Sequence, residues 1–329
     1  MVSDMQETGK QKLPVLVVDL GGTKITAAII SPQMEIIARY NHPTLASEGP
    51  EAVIGRMFSG IDHLLEKSDL TPSRISAICV ADAGIIDIKR GLVTTSPNLP
   101  NWNNIPLKSI VEEKYGVATY LINDADAAAL GEHHLGAGKG LNTVILLTLG
   151  TGIGGGIIIN SRLYLGPTGS AAEIGHMVIE ASGPPCNCGK RGCLETFSSG
   201  TAIARDAINR IGNGEKSSLA GMVGGDIEKI TAEKVYLAAK DGDPLSLEVI
   251  AGAACYLGIG VANLVNIFNP EMVIIGGSVA NIGDLLLNPV RQVVKEQAFG
   301  LLVRTVRIVP ALLGNDAGIF GAAIYAIEQ

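Results

Sequence analysis

Two periods of hydrophobicity alternate along this chain. Short unbroken apolar runs punctuated by glycine give way to segments in which apolar residues recur every three or four positions, the marks of buried strands and amphipathic helices. Val15 to Ile30 reads as two antiparallel strands joined by a tight turn at Gly21-Gly22-Thr23-Lys24. Ile36 to Tyr40 predicts a third strand, and the spacing of Val53, Ile54, Met57, Phe58, Ile61, Leu64 and Leu65 predicts a helix. A buried strand at Ile75 to Val80 follows, then a loop-rich segment from Ala81 to Trp102, a helix near Pro106 to Tyr115 and a strand from Val117 to Ile122.

A helix from Ala125 to Leu135 leads into Leu147 to Ile159, which repeats the strand, glycine turn and strand plan with Gly150-Thr151-Gly152 at the turn. Aligned by sequence, Thr148 stands where the first copy has Asp19, and Ile153 where it has Lys24. A hairpin occurring twice a domain's length apart points to duplicated halves facing a central cleft, each offering a turn to the phosphates of one nucleotide. An ordinary hairpin with a buried strand-end Asp explains either copy taken alone. Beyond Gly200 the pattern turns helical at Thr201 to Ile211, Thr231 to Lys240 and the long apolar run Pro244 to Phe268. Asn213 to Asp226 is polar and Gly/Ser-rich and reads as a surface loop. Met272 to Ile275 predicts a strand ending at Gly276-Gly277, then come a helix near Leu285 to Gln297, a strand at Val306 to Val309 and a final helix from Ala317. The alternation describes an α/β protein. Its smaller domain spans residues 13–123, completed by the C-terminal helix at 317–329, and its larger domain spans 124–316.

With 329 residues, 47% of them hydrophobic, the chain can bury a large core. The formal net charge of −7, with no basic block, argues against nucleic acid and anionic membrane surfaces and in favour of a small-molecule partner. Leu141 to Ile159 carries no charged residue and could be scored as a membrane span by length, but its glycines at 150, 152, 154, 155 and 156 suit a doubly buried hairpin rather than a lipid-facing helix. Met1 to Lys12 is polar and lacks the apolar core of a signal peptide, so the expected compartment is the cytoplasm.

Two constellations carry the chemistry. Asn123-Asp124 follows an apolar strand and opens an alanine-rich helix, with Asp126 two residues on. Helix capping alone explains one of the two acids. The functional reading makes Asp124 the base that takes a proton from an attacking hydroxyl while Asn123 orients it. Further on, Glu173-Ile174-Gly175-His176 precedes a knuckle holding Cys186, Cys188 and Cys193 and ending at Glu195. Three thiolates and one imidazole complete a tetrahedral structural zinc site. Free cysteines beside an unrelated His are the alternative. The odd count of five cysteines does not make a disulfide framework. Glu173 and Glu195 flank the knuckle and would offer paired carboxylates to the adjacent hydroxyls of a sugar. Gly276-Gly277-Ser278 and Gly314-Asn315-Asp316-Ala317-Gly318 are candidates for a wall beside the nucleotide, although a turn and a helix cap explain them equally. His42, His63, His133 and His134 have no partner spacing that assigns them a role.

The segments Asp19-Leu-Gly-Gly-Thr-Lys24, Asn98-Leu-Pro-Asn-Trp102, Asn123-Asp124, Leu149 to Gly156, Glu173-Ile-Gly-His176 and Cys186 to Glu195 together resemble sugar kinases of the ROK family, bacterial glucokinase-like branch, with the actin/hexokinase-like (ribonuclease H-like) duplicated two-domain fold. The resemblance runs from Val15 to the last helix. It implies ATP-dependent phosphorylation of a hexose 6-hydroxyl with Asp124 as general base. Asn123, Glu173, His176 and Glu195, joined by Asn98 and Gly84, would hold the sugar. Gly21, Gly22, Thr23, Lys24, Gly150, Thr151 and Gly152 would hold the phosphates, with Mg2+ near Asp19. It also implies that His176 serves both the sugar and, with Cys186, Cys188 and Cys193, the zinc, through its two ring nitrogens. Domain closure that excludes water and a homo-oligomer, dimer or tetramer, are further implications.

Two departures stand out: Ala81-Asp82-Ala83-Gly84 replaces the family's usual Gly-x-Pro-Gly, and Asp126 stands where Asn is common. N-acetylmannosamine kinase, fructokinase and broad-specificity hexokinase remain open alternatives. From a different class, the family includes sugar-sensing repressors with a helix-turn-helix domain ahead of the first motif. Here only Met1 to Lys12 precedes it, too short for such a domain.

Overall fold

The computed structural model describes residues 13–329; the segment Met1 to Lys12, read above for targeting signals, lies outside the described residues. The chain forms two compact units, one running to Asp124 and taking in Ala322–Gln329, the other covering Ala125–Gly321.

The first unit contains strands β1 (Val15–Leu20), β2 (Lys24–Ile30), β3 (Ile36–Pro43), β4 (Ala77–Asp82), β5 (Ile85–Asp87), β6 (Leu92–Thr95), β7 (Asn103–Ile105) and β8 (Thr119–Asn123), with helices α1 (Pro50–Lys67) and α2 (Leu107–Tyr115). Its main sheet has the order β3-β2-β1-β4-β8, with β1, β2 and β3 antiparallel and β1, β4 and β8 parallel. β1 and β4 are buried along nearly their whole length, as strands covered on both faces must be. β3 alternates half-buried and exposed positions, which suits its place at the edge. On α1 the apolar stripe read from sequence is the buried face: Val53, Met57, Ile61 and Leu64 are fully enclosed, each contributing roughly 2 kcal/mol by area. The loop-rich reading of Ala81 to Trp102 is corrected, because β5 and β6 lie within that segment and join β7 in a three-stranded sheet. Strands of three or four residues are too short to show a period.

The second unit opens with α3 (Asp124–His134), which begins directly after β8. It continues with β9 (Val144–Leu149), β10 (Ile153–Ile159), β11 (Arg162–Leu163), α4 (Glu195–Ser198), α5 (Gly200–Gly212), α6 (Leu219–Met222), α7 (Ala232–Lys240), α8 (Pro244–Phe268), β12 (Met272–Gly276), α9 (Asp284–Gln297), α10 (Gly300–Val303) and β13 (Arg307–Pro310), and the final helix α11 (Ala317–Glu328) starts in this unit and from Ala322 belongs to the first. Its sheet order, β11-β10-β9-β12-β13, repeats the first unit's pattern of two antiparallel and two parallel pairings. The surface loop expected at Asn213 to Asp226 contains α6, and Leu219 on it is fully buried.

Two elements settle questions of hydropathy. α8 is long and apolar enough to cross a membrane by length and composition, yet 61% of its most apolar window is buried inside the unit. Leu141 to Ile159 is the β9–β10 hairpin. There Gly154, Gly155 and Gly156 are sheathed on both faces. A Cβ at Gly155 would lie 2.6 Å from Ile174, and one at Gly156 would lie 2.5 Å from Ala129 of α3.

The duplicated hairpins differ in their turns. Four residues, Gly21 to Lys24, separate the paired Leu20 and Ile25, whereas three, Gly150 to Gly152, separate the paired Leu149 and Ile153. Ile153 therefore corresponds to Ile25, both buried, and Lys24 has no counterpart in the second hairpin. This corrects the sequence alignment of Ile153 with Lys24. A turn one residue shorter shifts the return strand by one position.

Candidate active site and metal centre

The parallel strands β4 and β8 end on Asp82 and Asn123, and β1 carries Asp19 one residue before its end at Leu20. Leu20 is level with Asp82, and Asp82 with Asn123, so Asp19, Asp82 and Asn123-Asp124 form a row at the carboxyl ends of three adjacent strands, where α/β sheets place their ligands. Burial pushes Asp19 up to about 6, with the Asp124 carboxylate adding to the rise and Lys24 opposing it. Asp82 is 1% exposed and burial pushes it up to about 7, against the pull of the Gly84 N–H and with Asp124 and Asp19 adding to it. One oxygen, Oδ1, accepts from the Gly84 N–H at 2.6 Å. The other, Oδ2, is buried without a hydrogen-bond partner, as is the Ser96 hydroxyl, although Ser96 is near enough to favour the ionised carboxylate.

Sequence reasoning assigned Asp82 no role. The available signal was the shared pattern of an apolar run ending in a polar strand-end group, seen at Asp19, Asp82 and Asn123-Asp124. The Asn123 amide donates to the carbonyls of Gly84 at 3.3 Å and Asp82 at 3.5 Å, which ties two of the expected sugar residues, Asn123 and Gly84, together. Asp126 is buried on α3.

In the first turn, the Gly21 N–H donates to the Lys24 carbonyl at 3.1 Å. Buried Thr44 braces it, donating its hydroxyl to the Gly21 carbonyl at 2.6 Å and its N–H to the Thr23 carbonyl at 2.9 Å. A Cβ at Gly22 would lie 2.6 Å from that of Asn98, so the expected sugar residue Asn98 packs against this turn.

The second turn is held by the start of α5. The Gly200 N–H donates to the Gly150 carbonyl at 2.8 Å and the Thr201 hydroxyl to the Thr151 carbonyl at 2.7 Å, while the Gly150 N–H reaches the Gly152 carbonyl at 2.9 Å. Gly150 and Thr151 border a cavity of about 750 Å3 whose walls include Thr201, Thr231, Tyr236 and Asn281. Gly276 and Gly277 are not among its lining residues. Gly277 instead has φ +83° and packs on the backbone of Leu149, where a Cβ would meet the carbonyl oxygen at 2.3 Å. The wall is made by Ser278 and Val279, which follow it.

The knuckle brings together His176, Cys186, Cys188 and Cys193, with one ligand atom from each, all within 4.8 Å of one another. Cys188 Sγ lies 3.7 Å from Cys193 Sγ, and Cys186 Sγ lies 3.6 Å from His176 Nδ1. Bonds of about 2.3 Å to sulfur and 2.0 Å to nitrogen at a tetrahedral angle require spacings of this size, so the donor set fits zinc. The fold of the knuckle depends on glycine: Gly192 has φ +69° and lies against the Glu180 carbonyl, leaving no room for a side chain. Burial pushes the Cys186 thiol up to about 12 and raises Cys193, so metal uptake displaces protons.

The other ring nitrogen of His176, Nε2, faces Glu173 Oε2 at 4.0 Å. Burial raises the Glu173 carboxyl, His176 opposes the rise and Glu195 adds to it, which puts both glutamates and the imidazole in one neighbourhood. Glu195 is the first residue of α4 and accepts the Ile153 N–H at 3.0 Å.

The chain is 40% identical over 321 residues to the glucokinase of Thermotoga maritima, covering 97% of this chain and 98% of that one. A crystal structure of a ROK family glucokinase from Streptomyces griseus, in complex with glucose and AMPPNP, superposes with a TM-score of 0.84 at 35% identity, covering 96% of this chain and all of that one. A xylose repressor of Caldicellulosiruptor bescii is 34% identical, covering 96% of this chain and 78% of the repressor. The ROK family model matches residues 15–329, and the chain belongs to the ROK family.

Proposed function

We propose that this protein is an ATP-dependent hexose kinase whose preferred sugar is glucose. The observation that carries the reading is its similarity over nearly its full length to the Thermotoga maritima glucokinase, supported by the glucose and AMPPNP complex of the Streptomyces griseus relative. In this reading Asp124 takes the proton of the sugar 6-hydroxyl as that oxygen attacks the γ-phosphorus, and the bond to the departing ADP oxygen breaks. Asn123, fixed through its amide to the loop at Gly84, orients the hydroxyl. Glu173, His176 and Glu195, joined by Asn98 and Gly84, are the residues proposed to hold the remaining hydroxyls. The turns at Gly21 to Lys24 and Gly150 to Gly152 hold the phosphates, and the nucleoside occupies the cavity beside Thr231 and Tyr236. Asp19 is the carboxylate that would hold Mg2+, which when bound neutralises phosphate charge. The His176 and cysteine set holds zinc and fixes the imidazole, so that Nε2 stays turned toward Glu173. A cytoplasmic homo-oligomer is part of the same reading.

The test is ADP release with ATP and Mg2+ across glucose, mannose, fructose, N-acetylmannosamine and N-acetylglucosamine. Glucose is expected to give the highest kcat/KM, with turnover lost in Asp124→Asn. Turnover confined to another sugar reassigns the substrate. Silence on all five in zinc-loaded protein overturns the kinase in favour of a sensor.

A further inference from the structure

Glu195 touches two parts of the second unit with different expected tasks. Its Oε1 lies 3.8 Å from Cys186 Sγ of the metal cluster, and its Oε2 accepts the N–H of Ile153, where the second turn becomes β10. Gly152 leaves room for this contact. A Cβ added there would stand 2.2 Å from Glu195 Oε2 and 3.2 Å from its carboxyl carbon, so the carboxylate occupies the place of the missing side chain. The carbonyls of Gly150 and Thr151 are fixed from α5. The peptide between Gly152 and Ile153 is held at both ends, its carbonyl by the Gly150 N–H and its N–H by Glu195, the one side chain that fastens it.

We propose that Glu195 is a positioning residue that couples the sugar to the nucleotide: the carboxylate that receives sugar hydroxyls also sets the second phosphate turn, so a bound sugar orders Gly150 to Ile153 before ATP arrives. This rests on the proposed roles of Glu195 as a sugar ligand and of that turn as a phosphate ligand. A carboxylate has about four acceptor positions on two oxygens, enough for an N–H and sugar hydroxyls together. Binding linkage makes the effect reciprocal, so nucleotide tightens sugar binding by the factor by which sugar tightens nucleotide binding.

The decisive measurement is hydrogen–deuterium exchange on the zinc-loaded, nucleotide-free protein with and without glucose, with saturation established by calorimetry on the same sample. Amides of residues 150–153 are expected to exchange several-fold more slowly with glucose bound. In Gly152→Ala, where only the mobile end of Glu195 has to move, glucose affinity is expected to fall about tenfold at unchanged zinc content, and the glucose-dependent slowing to disappear. Unchanged exchange at 150–153 in glucose-saturated wild type overturns the coupling, and so does a folded Gly152→Ala protein that binds glucose as tightly as wild type. If the wild type binds no glucose, the underlying sugar reading fails and the coupling falls with it, a result separable from the others by the calorimetry alone. Should Gly152→Ala fail to fold, the wild-type exchange still decides.

Discussion

The two glycine hairpins share a sheet order and a place in it, yet they are built for different work. The first turn has four residues and carries Lys24, with Asp19 just before it. It is braced by one threonine from the β3 end, Thr44. Its neighbours are the carboxyls Asp82 and Asp124, so charge is concentrated there and burial lifts two acids well above the ordinary carboxylate range. The second turn has three residues, carries no charge of its own, and is fastened by α5 and by Glu195, which belongs to the metal knuckle. Duplication supplied two equivalent strand ends, and a one-residue difference in the turns removed the lysine position from one of them. The comparison teaches that the repeated scaffold conserves where a ligand is met and leaves open which groups meet it. Chemistry is expected to depend on Asp124 of the first unit, and the zinc-supported share of sugar recognition on the second.

The largest effect that would sharpen this contrast is in the first unit. Asp124→Asn is expected to lower kcat by about a hundred- to ten-thousand-fold with little change in the KM for glucose, as read from ADP release. A rise in KM at unchanged kcat would break the division of labour.

In the second unit, Cys193→Ser is expected to lose the metal, by elemental analysis, and to weaken glucose binding about tenfold or more while nucleotide affinity stays within about threefold. Equal losses of both ligands in calorimetry would show that the knuckle supports the whole unit rather than the sugar side.

The units should also respond to pH with opposite signs. Asp82 and Asp19 have folded values near 7 and 6 against an ordinary 3.8. The stability they contribute is full below about pH 4 and is lost as pH rises through 6 to 7. Ligand-free protein should melt higher at pH 5 than at pH 8, and Asp82→Asn should flatten that slope, removing a difference of about 2 to 4 kcal/mol. An unchanged slope in the variant would assign the trend elsewhere.

The smallest expected effect belongs to Asp243 at the start of α8. Its desolvation is outweighed by the N–H groups of Ser218 and Ser246 and by the hydroxyls of Ser246 and Ser217, holding the carboxyl down to about 2. That contribution is complete above about pH 4 and disappears as pH falls through 2. Asp243→Ala should therefore cost about 2 kcal/mol in urea melts at neutral pH and progressively less in acid.

Much of the scaffold was legible because its signals are local. Leu20-Gly21-Gly22 and Leu149-Gly150-Thr151-Gly152 announce their hairpins through glycines between apolar runs, and five of the seven α1 stripe residues are buried, with Ile54 and Phe58 half-buried beside them. The approach of the four knuckle ligands to within 4.8 Å follows from their closeness in sequence. What stayed hidden depends on pairing across distance. β5 to β7 are too short to have a period. The difference in turn length appears only when the strands are paired. Burial of Asp82 depends on where β4 sits in the sheet, and the bond from Glu195 to Ile153 spans 42 residues. The cavity wall at Thr231, Tyr236 and Asn281 is assembled from separate helices and loops, and no spacing connects them.

Gly154, Gly155 and Gly156 set a limit on how this sequence can drift. With α3 against one face of β10 and the turn around Ile174 against the other, a Cβ at these three positions would lie 2.6, 2.6 and 2.5 Å from its nearest neighbour. A saturation mutagenesis library would show them as an island with almost no accepted substitutions, while exposed Thr151, three residues earlier, tolerates exchange of its side chain in stability terms. Any lineage that changed the ligands at the turn would have had to do so around three residues that could not move with them.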